Sequence, residues 1–272
     1  MNHLTDDCHW ALPDLDAAIE WAGHRRRSGI SVAIDPLGEY ARNEEQATAS
    51  AASYLNALEH IREKGIAASL AIKLSALGLS LDQKTAEFHL NQLLATAAQA
   101  NLVVEIDIEG TPSVSQVCGM AQNAACRGFK TVLALQAYLD RTPQDLADSL
   151  AAGLKVRLVK GAYKGDTDDF QKIQQMFLSC FETLLASGRP FDVGTHDPLL
   201  LKAMTARLGT HNREQVCFGF LKGLADATKD QMASSGYLVS EYVPFGDNRS
   251  AYVTRRLAYL KRLELLGLHP AP

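Results

Sequence analysis

The chain has no surplus of positive charge, no paired-cysteine motif and no long apolar run, and each absence removes a class of function. It carries 27 Lys and Arg against 31 Asp and Glu, a net charge of −4. That balance argues against a nucleic-acid or anionic-membrane surface. The one concentrated basic run, Arg25-Arg26-Arg27, reads as the charged end of the first helix. Cys8, Cys118, Cys126, Cys180 and Cys217 are odd in number and show neither CxxC nor metal-ligand spacing. They read as reduced residues of a cytoplasmic protein, not as a disulfide frame. No apolar run reaches the ~18 residues that a spanning helix requires. The first ten residues are polar and acidic, unlike a signal or transit peptide. GxSxG and Walker sequences are missing, and so is any His/Cys/carboxylate cluster of metal spacing, so no metal is expected.

What is present is alternation. Short apolar runs at 29–34, 68–74, 101–107, 129–135, 154–160, 190–194, 215–220 and 237–243 predict eight strands. Amphipathic stretches at 44–64, 83–100, 113–127, 143–152, 168–187, 198–208, 224–235 and 248–266 predict a helix after each, with an opening helix at 14–27. Parallel neighbours need crossover connections, and eight strand–helix units in a chain of 272 residues match a (β/α)8 barrel. The rival open sheet lacks a GxGxxG after the first strand. The expectation is one α/β domain over 1–272, with residues 1–28 as an N-terminal helical segment and 29–266 as the barrel.

A barrel should gather its chemistry at the C-terminal ends of the strands. Lys73, Asp107 and Glu109, Gln136 and Tyr138, Arg157 and Lys160, Thr195-His196-Asp197 and Tyr242 all fall there. Lys73 has apolar neighbours and needs a partner, for which Asp107 on the next strand is the candidate. Arg157 faces the barrel interior, with Glu105 or Asp107 as partner and a role beside a redox ring as the functional reading. Gly161 and Ala162 leave room for a flat ligand against backbone. His196 either contacts a ligand or closes its turn, with Thr195 or Asp197 capping the next helix at Pro198. Beyond the last strand, stopped by Pro244 and Gly246, a helix capped by Asp247 or Asn248 places Tyr252, Arg255 and Arg256 on one face. Two guanidiniums beside a phenol suit a carboxylate.

In that order, Ile72-Lys-Leu-Ser-Ala-Leu, Asp107-Ile-Glu, Leu135-Gln-Ala-Tyr, Arg157-Leu-Val-Lys-Gly-Ala-Tyr, Thr195-His-Asp-Pro and Tyr242-Val-Pro-Phe-Gly…Tyr252-Val-Thr-Arg-Arg256 resemble the proline dehydrogenases. Both the monofunctional bacterial enzymes and the corresponding domain of bifunctional proline-catabolic flavoenzymes are matched. The resemblance implies a distorted (β/α)8 TIM barrel with an extra N-terminal helix, the last helix over the barrel mouth, and bound FAD. It implies oxidation of L-proline to Δ1-pyrroline-5-carboxylate by hydride transfer from C5 to flavin N5, with a quinone as electron acceptor. Lys73, Arg255 and Arg256 would hold the carboxylate, and Asp107, Tyr242, Tyr252 and Leu221 would surround the substrate ring. Glu39 would pair with Arg255 and gate the site. Gln136, Arg157, Val159, Lys160, Gly161, Ala162, Tyr163, Thr195 and His196 would contact the flavin. The implied location is cytoplasmic, with peripheral contact at the inner membrane as the closest approach to lipid.

The chain departs from the family at Arg249-Ser250-Ala251, where short enzymes usually have Trp-Tyr-Pro. It departs again at Cys217-Phe218-Gly219, where Glu-Phe-Gln is common, and at Tyr259, where a glutamate often stands. These leave FMN as an alternative to FAD, and a hydroxyproline- or thioproline-type substrate as an alternative to proline. A Schiff-base aldolase using Lys160 or Lys73, and a flavin-free module that binds carboxylates, are the readings outside flavin chemistry.

Overall fold

The computed structural model describes residues 7–209 and 212–272, with the side chains of Asp7 and Cys8 outside the description. The expectations for residues 1–6 and for the Cys8 thiol therefore lie outside the described residues. Cys118, Cys126, Cys180 and Cys217 are free thiols.

Among the described residues, after a single helical turn, α1 (Asp7–Trp10), and helix α2 (Leu15–Arg27), eight strands alternate with eight helices. They run β1 (Ile30–Pro36), α3 (Glu44–Glu63), β2 (Ala68–Lys73), α4 (Gln83–Gln99), β3 (Val104–Asp107) and α5 (Val114–Cys126). Next come β4 (Thr131–Gln136), α6 (Thr142–Ala151), β5 (Lys155–Val159), α7 (Phe170–Ala186), β6 (Phe191–Gly194) and α8 (Pro198–Arg207). The last are β7 (Val216–Leu221), α9 (Asp226–Ser234), β8 (Leu238–Phe245) and α10 (Ser250–Leu265). All eight strands are parallel and close in sequence order, β8 pairing with β1. The expected barrel is the fold.

Side chains along a strand alternate between faces. One parity, including Leu70, Ile72, Val104, Ile106, Leu133, Leu135, Val156, Leu158, Phe218 and Phe220, packs outward against the helices in one continuous core. The other parity holds Lys73, Glu105, Asp107, Gln136, Arg157 and Asp192 inside the barrel, so its interior is polar where many barrels are filled with branched apolar residues. A second, smaller cluster seats α2 on β1 and β8 through Ala18, Ile19, Ala22, Val32, Ile34, Val243 and Phe245.

Local signals explain most helix starts. Asp14, Asn43, Asp82, Asp169 and Asp197 each accept a backbone N–H in the first turn of α2, α3, α4, α7 and α8. Two expectations near the end of the barrel change. β8 runs through Pro244 to Phe245, because a proline only lacks a donor and its carbonyl still accepts the Leu12 N–H at 2.9 Å. α10 starts at Ser250 without a side-chain cap; Gly246 turns at φ +109° and the Asp247 carbonyl accepts the Arg249 N–H, so neither Asp247 nor Asn248 caps it. Among the described residues no helix is long and apolar enough to cross a membrane.

Candidate active site

The C-terminal mouth of the barrel holds a chain of alternating charges. Lys73 Nζ donates to Asp35 Oδ1 at 2.7 Å and lies 4.0 Å from Asp107 Oδ2. The Tyr242 hydroxyl donates to Asp107 Oδ2 at 2.7 Å, and Arg157 donates to Asp107 Oδ1 at 2.6 Å and to Glu105. The expected Lys73–Asp107 pair is thus the weaker contact. Asp107 is already committed to Arg157 and Tyr242, and Asp35, at the end of β1, neutralises the lysine. Asp35 could have been found by the rule that found Lys73, a charge closing an apolar strand. Burial pushes the Asp35 carboxyl up to about 6 even against the pull of Lys73. Burial opposes the Lys73 charge, but Asp35, Tyr163, Asp107 and Tyr54 outweigh it and hold the amine protonated.

Over this layer lies α10. Arg255 makes a two-point pair with Glu39, at 2.6 and 3.1 Å, and its guanidinium sits 4.5 Å from the Tyr163 ring centroid. Tyr163 in turn donates to Glu39 at 3.4 Å, which ties its hydroxyl to the Glu39–Arg255 pair. Arg256 behaves differently. It is 3% exposed, donates to the Tyr252 hydroxyl at 2.8 Å and to the Lys222 carbonyl at 2.6 Å, and makes no ion pair among the described residues. Burial holds its pKa below the ordinary arginine value. Tyr252 and Arg256 are both buried and bonded one turn apart, whereas Arg255 turns toward the Glu39 loop.

That loop is anchored from below. The Tyr40 N–H donates to Ser75 Oγ at 2.9 Å and the Ala41 N–H to the Ser75 carbonyl at 3.0 Å. Ser75 Oγ and N–H both donate to the buried Glu109, at 2.6 and 3.2 Å. Burial pushes the Glu109 carboxyl up to about 7, against the Ser75 hydrogen bonds and Lys73. Tyr40 holds φ +53°, an uncommon backbone state for a side chain of its size.

A second group of donors closes β4 to β7. Lys160 pairs with the buried Asp197 at 2.9 Å, and burial still lowers its pKa to about 8. His196 Nε2 accepts the Leu221 N–H at 2.9 Å, its ring meets Phe220 and Tyr259 edge-on, and burial lowers its pKa to about 3. It is a neutral imidazole that ties the loop before α8 to the end of β7. Asp197 caps α8, with Thr195 Oγ1 accepting the Asp197 N–H at 3.1 Å. Leu221 stands beside Tyr242 in the strand register. Val159 and Gly194 are paired in the register, half-buried at the strand ends. Gln136 spends all its bonds inside the protein, donating to the Ile108 and Glu109 carbonyls and accepting from Tyr138 and the Ala162 N–H. The room that Gly161 leaves is not free: a methyl at Gly161 or Gly165 would fall within the Tyr138 ring. Ala162 alone of these is exposed.

Two buried cations, a neutral imidazole, a threonine hydroxyl and backbone at small residues suit a planar cofactor that bears negative charge. The Arg255–Arg256 pair above suits a small carboxylate.

A family model described as proline dehydrogenase matches residues 18–263. Proline dehydrogenase 1 of Bacillus subtilis strain 168 is 31% identical over 251 residues, covering 90% of this chain and 83% of its own length. The proline dehydrogenase of Deinococcus radiodurans is 26% identical over 261 residues, covering 91% and 84%. In fold, the chain superposes on proline utilization A from Bdellovibrio bacteriovorus with a TM-score of 0.81 at 19% identity, over 90% of this chain and 31% of that one. For proline utilization A from Bradyrhizobium japonicum the TM-score is 0.72 at 24% identity, over 83% and 28%. The chain thus spans under a third of those two longer proteins and most of the shorter relatives. It belongs to the proline dehydrogenase family, a family of oxidoreductases.

Proposed function

We propose that this chain oxidises L-proline to Δ1-pyrroline-5-carboxylate with a bound flavin, FAD in the first instance, and passes the electrons to a quinone. The observation that carries the reading is Arg256, a buried guanidinium held, among the described residues, by neutral groups only. Of the three cations assigned to the carboxylate, Lys73 is neutralised by Asp35 and Arg255 by Glu39. Arg256 keeps its charge for an incoming anion. Arg255 joins once its pair with Glu39 opens, so Glu39 competes with substrate and gates the site. Lys73 completes the seat, its position fixed by Asp35.

Tyr252, bonded to Arg256, and Tyr242 with Leu221 form the walls against which an apolar five-membered ring packs and excludes water. Asp107 holds Tyr242 and Arg157 in place. Arg157 and Lys160, with Thr195, His196 and the backbone at Val159 to Ala162, would hold the flavin; Tyr138 keeps the face of Gly161. When bound, the flavin supplies the acceptor for the hydride leaving C5. Release of the amine proton and of that hydride leaves the C5=N double bond of the product. An aldolase reading uses Lys160 or Lys73, but both are ion-paired here, and it gives Arg256 no task.

The test is an absorption spectrum of the purified protein, recorded anaerobically before and after adding L-proline. Flavin bands that bleach support the reading, and chromatography of the released cofactor separates FAD from FMN. A colourless protein that stays colourless after reconstitution with either flavin overturns it.

A further inference from the structure

We propose that Trp10 is a positioning residue for the substrate carboxylate, acting through Arg256; the inference rests on the proline reading above. Trp10 lies ahead of the segment that the family model matches, which begins at residue 18. Its side chain is nonetheless 8% exposed and packed at the site. The Arg256 guanidinium carbon sits 4.7 Å from the Trp10 ring centroid and 5.6 Å from that of Tyr252. A desolvated cation facing aromatic rings is stabilised without being neutralised. A carboxylate in place of the tryptophan would stabilise Arg256 too, but would compete with the substrate for it. The Nε of Arg256 is buried with no acceptor among the described residues, so these do not saturate the guanidinium.

Trp10 is itself held from both sides. The preceding carbonyl, of His9, accepts from Lys222 Nζ at 2.6 Å, beside the Lys222 carbonyl that Arg256 uses. Gly223, at φ +69°, abuts His9 so closely that a side chain there would lie 2.7 Å from the His9 carbonyl oxygen. On the other side, Leu12 exchanges backbone bonds of 2.9 and 3.0 Å with Pro244 and Gly246 at the end of β8. Residues 9–12 are therefore a strap from the β7–α9 turn to β8, with the indole under α10.

The test compares Trp10→Leu, which keeps apolar bulk but no ring, with Trp10→Phe, which keeps a ring. Two readouts are taken on the flavin-loaded enzyme: steady-state kinetics with L-proline, and the Kd of tetrahydrofuran-2-carboxylate, a ring of proline's shape without an oxidisable amine. W10L should raise KM and Kd together by ~tenfold, with a much smaller effect on kcat, and W10F should recover most of the loss. Should W10L fail to fold, W10F decides alone: phenylalanine is a weaker cation partner than tryptophan, and KM and Kd should rise by about two- to threefold. Unchanged KM and Kd, or a W10F as weak as W10L, overturn the role of Trp10. A wild-type protein that neither oxidises L-proline nor binds the carboxylate overturns the proline reading and this inference with it.

Discussion

At the scale of single residues, the two adjacent arginines differ in what already neutralises them. Arg255 must give up a two-point pair with Glu39 before it can hold a carboxylate, while Arg256 gives up nothing. Charged hydrogen bonds contribute about 1.5–3 kcal/mol each, so Arg256→Met should raise KM for L-proline by ~100-fold and Arg255→Met by only ~tenfold. Steady-state kinetics of the two variants measures the ratio; equal effects would show that the Glu39 pair costs nothing to open. Glu109 allows a pH test. Its folded pKa of about 7 lies above the ordinary 4.5, so the folded state holds the proton more tightly. Its stabilising contribution is complete below pH 4.5 and is lost as pH rises to 7. Glu109→Gln should therefore gain on wild type, in denaturant midpoint, across that window. The sequence marked Lys73, Arg157 and both arginines, since a charge closing an apolar run stands out. Glu105 and Asp107 both meet Arg157, and Glu39 meets Arg255, as expected. The partner of Lys73 was not marked: Lys73 and Asp107 are register neighbours, yet Asp107 is taken by Arg157 and Tyr242.

At the scale of elements, Asp197 joins three tasks that the sequence showed only as a cap. It caps α8, accepts from Gln174 at 2.7 Å and neutralises the buried Lys160. Removing one partner of a buried pair costs ~3–5 kcal/mol, because the other charge is left alone. Asp197→Ala should lose that much in urea denaturation, and Asp197→Ala combined with Lys160→Met should recover part of it. The cap of α8 was read from the sequence because it is a short-range bond between neighbours in the chain; the caps of α2, α3, α4 and α7 are bonds of the same kind. The start of α10 was not, because Gly246 and the Asp247 carbonyl turn the chain before any side chain can cap it. Nor was the use of Gly161, whose open side the Tyr138 ring fills from the turn after β4.

At the scale of the whole molecule, the barrel closes along β8 and β1, and Glu241 holds the elements packed outside that seam. Fully buried, it accepts from Lys229 of α9 at 2.5 Å and from Trp21 of α2 at 2.9 Å, with Arg25 Nε also 2.9 Å away. Glu241→Gln weakens the partner of two cations at once and should cost about 3 kcal/mol. A single unfolding transition with a lower midpoint is expected; an unchanged midpoint would mean that Asp226 and Asp230, the other partners of Lys229 and Arg25, suffice. What the sequence by itself determined was the alternation of eight strands and helices, the faces of each, and the placement of charge at strand ends. All of these are periodicities of 2 and 3.6 residues, carried by neighbours in the chain. Only the tertiary structure decided that Asp35 neutralises Lys73, that Arg256 meets no carboxylate among the described residues, and that Trp10 lies beneath it. Those pairings join residues up to 246 positions apart, and they depend on distance and angle around a closed barrel, which no local pattern records.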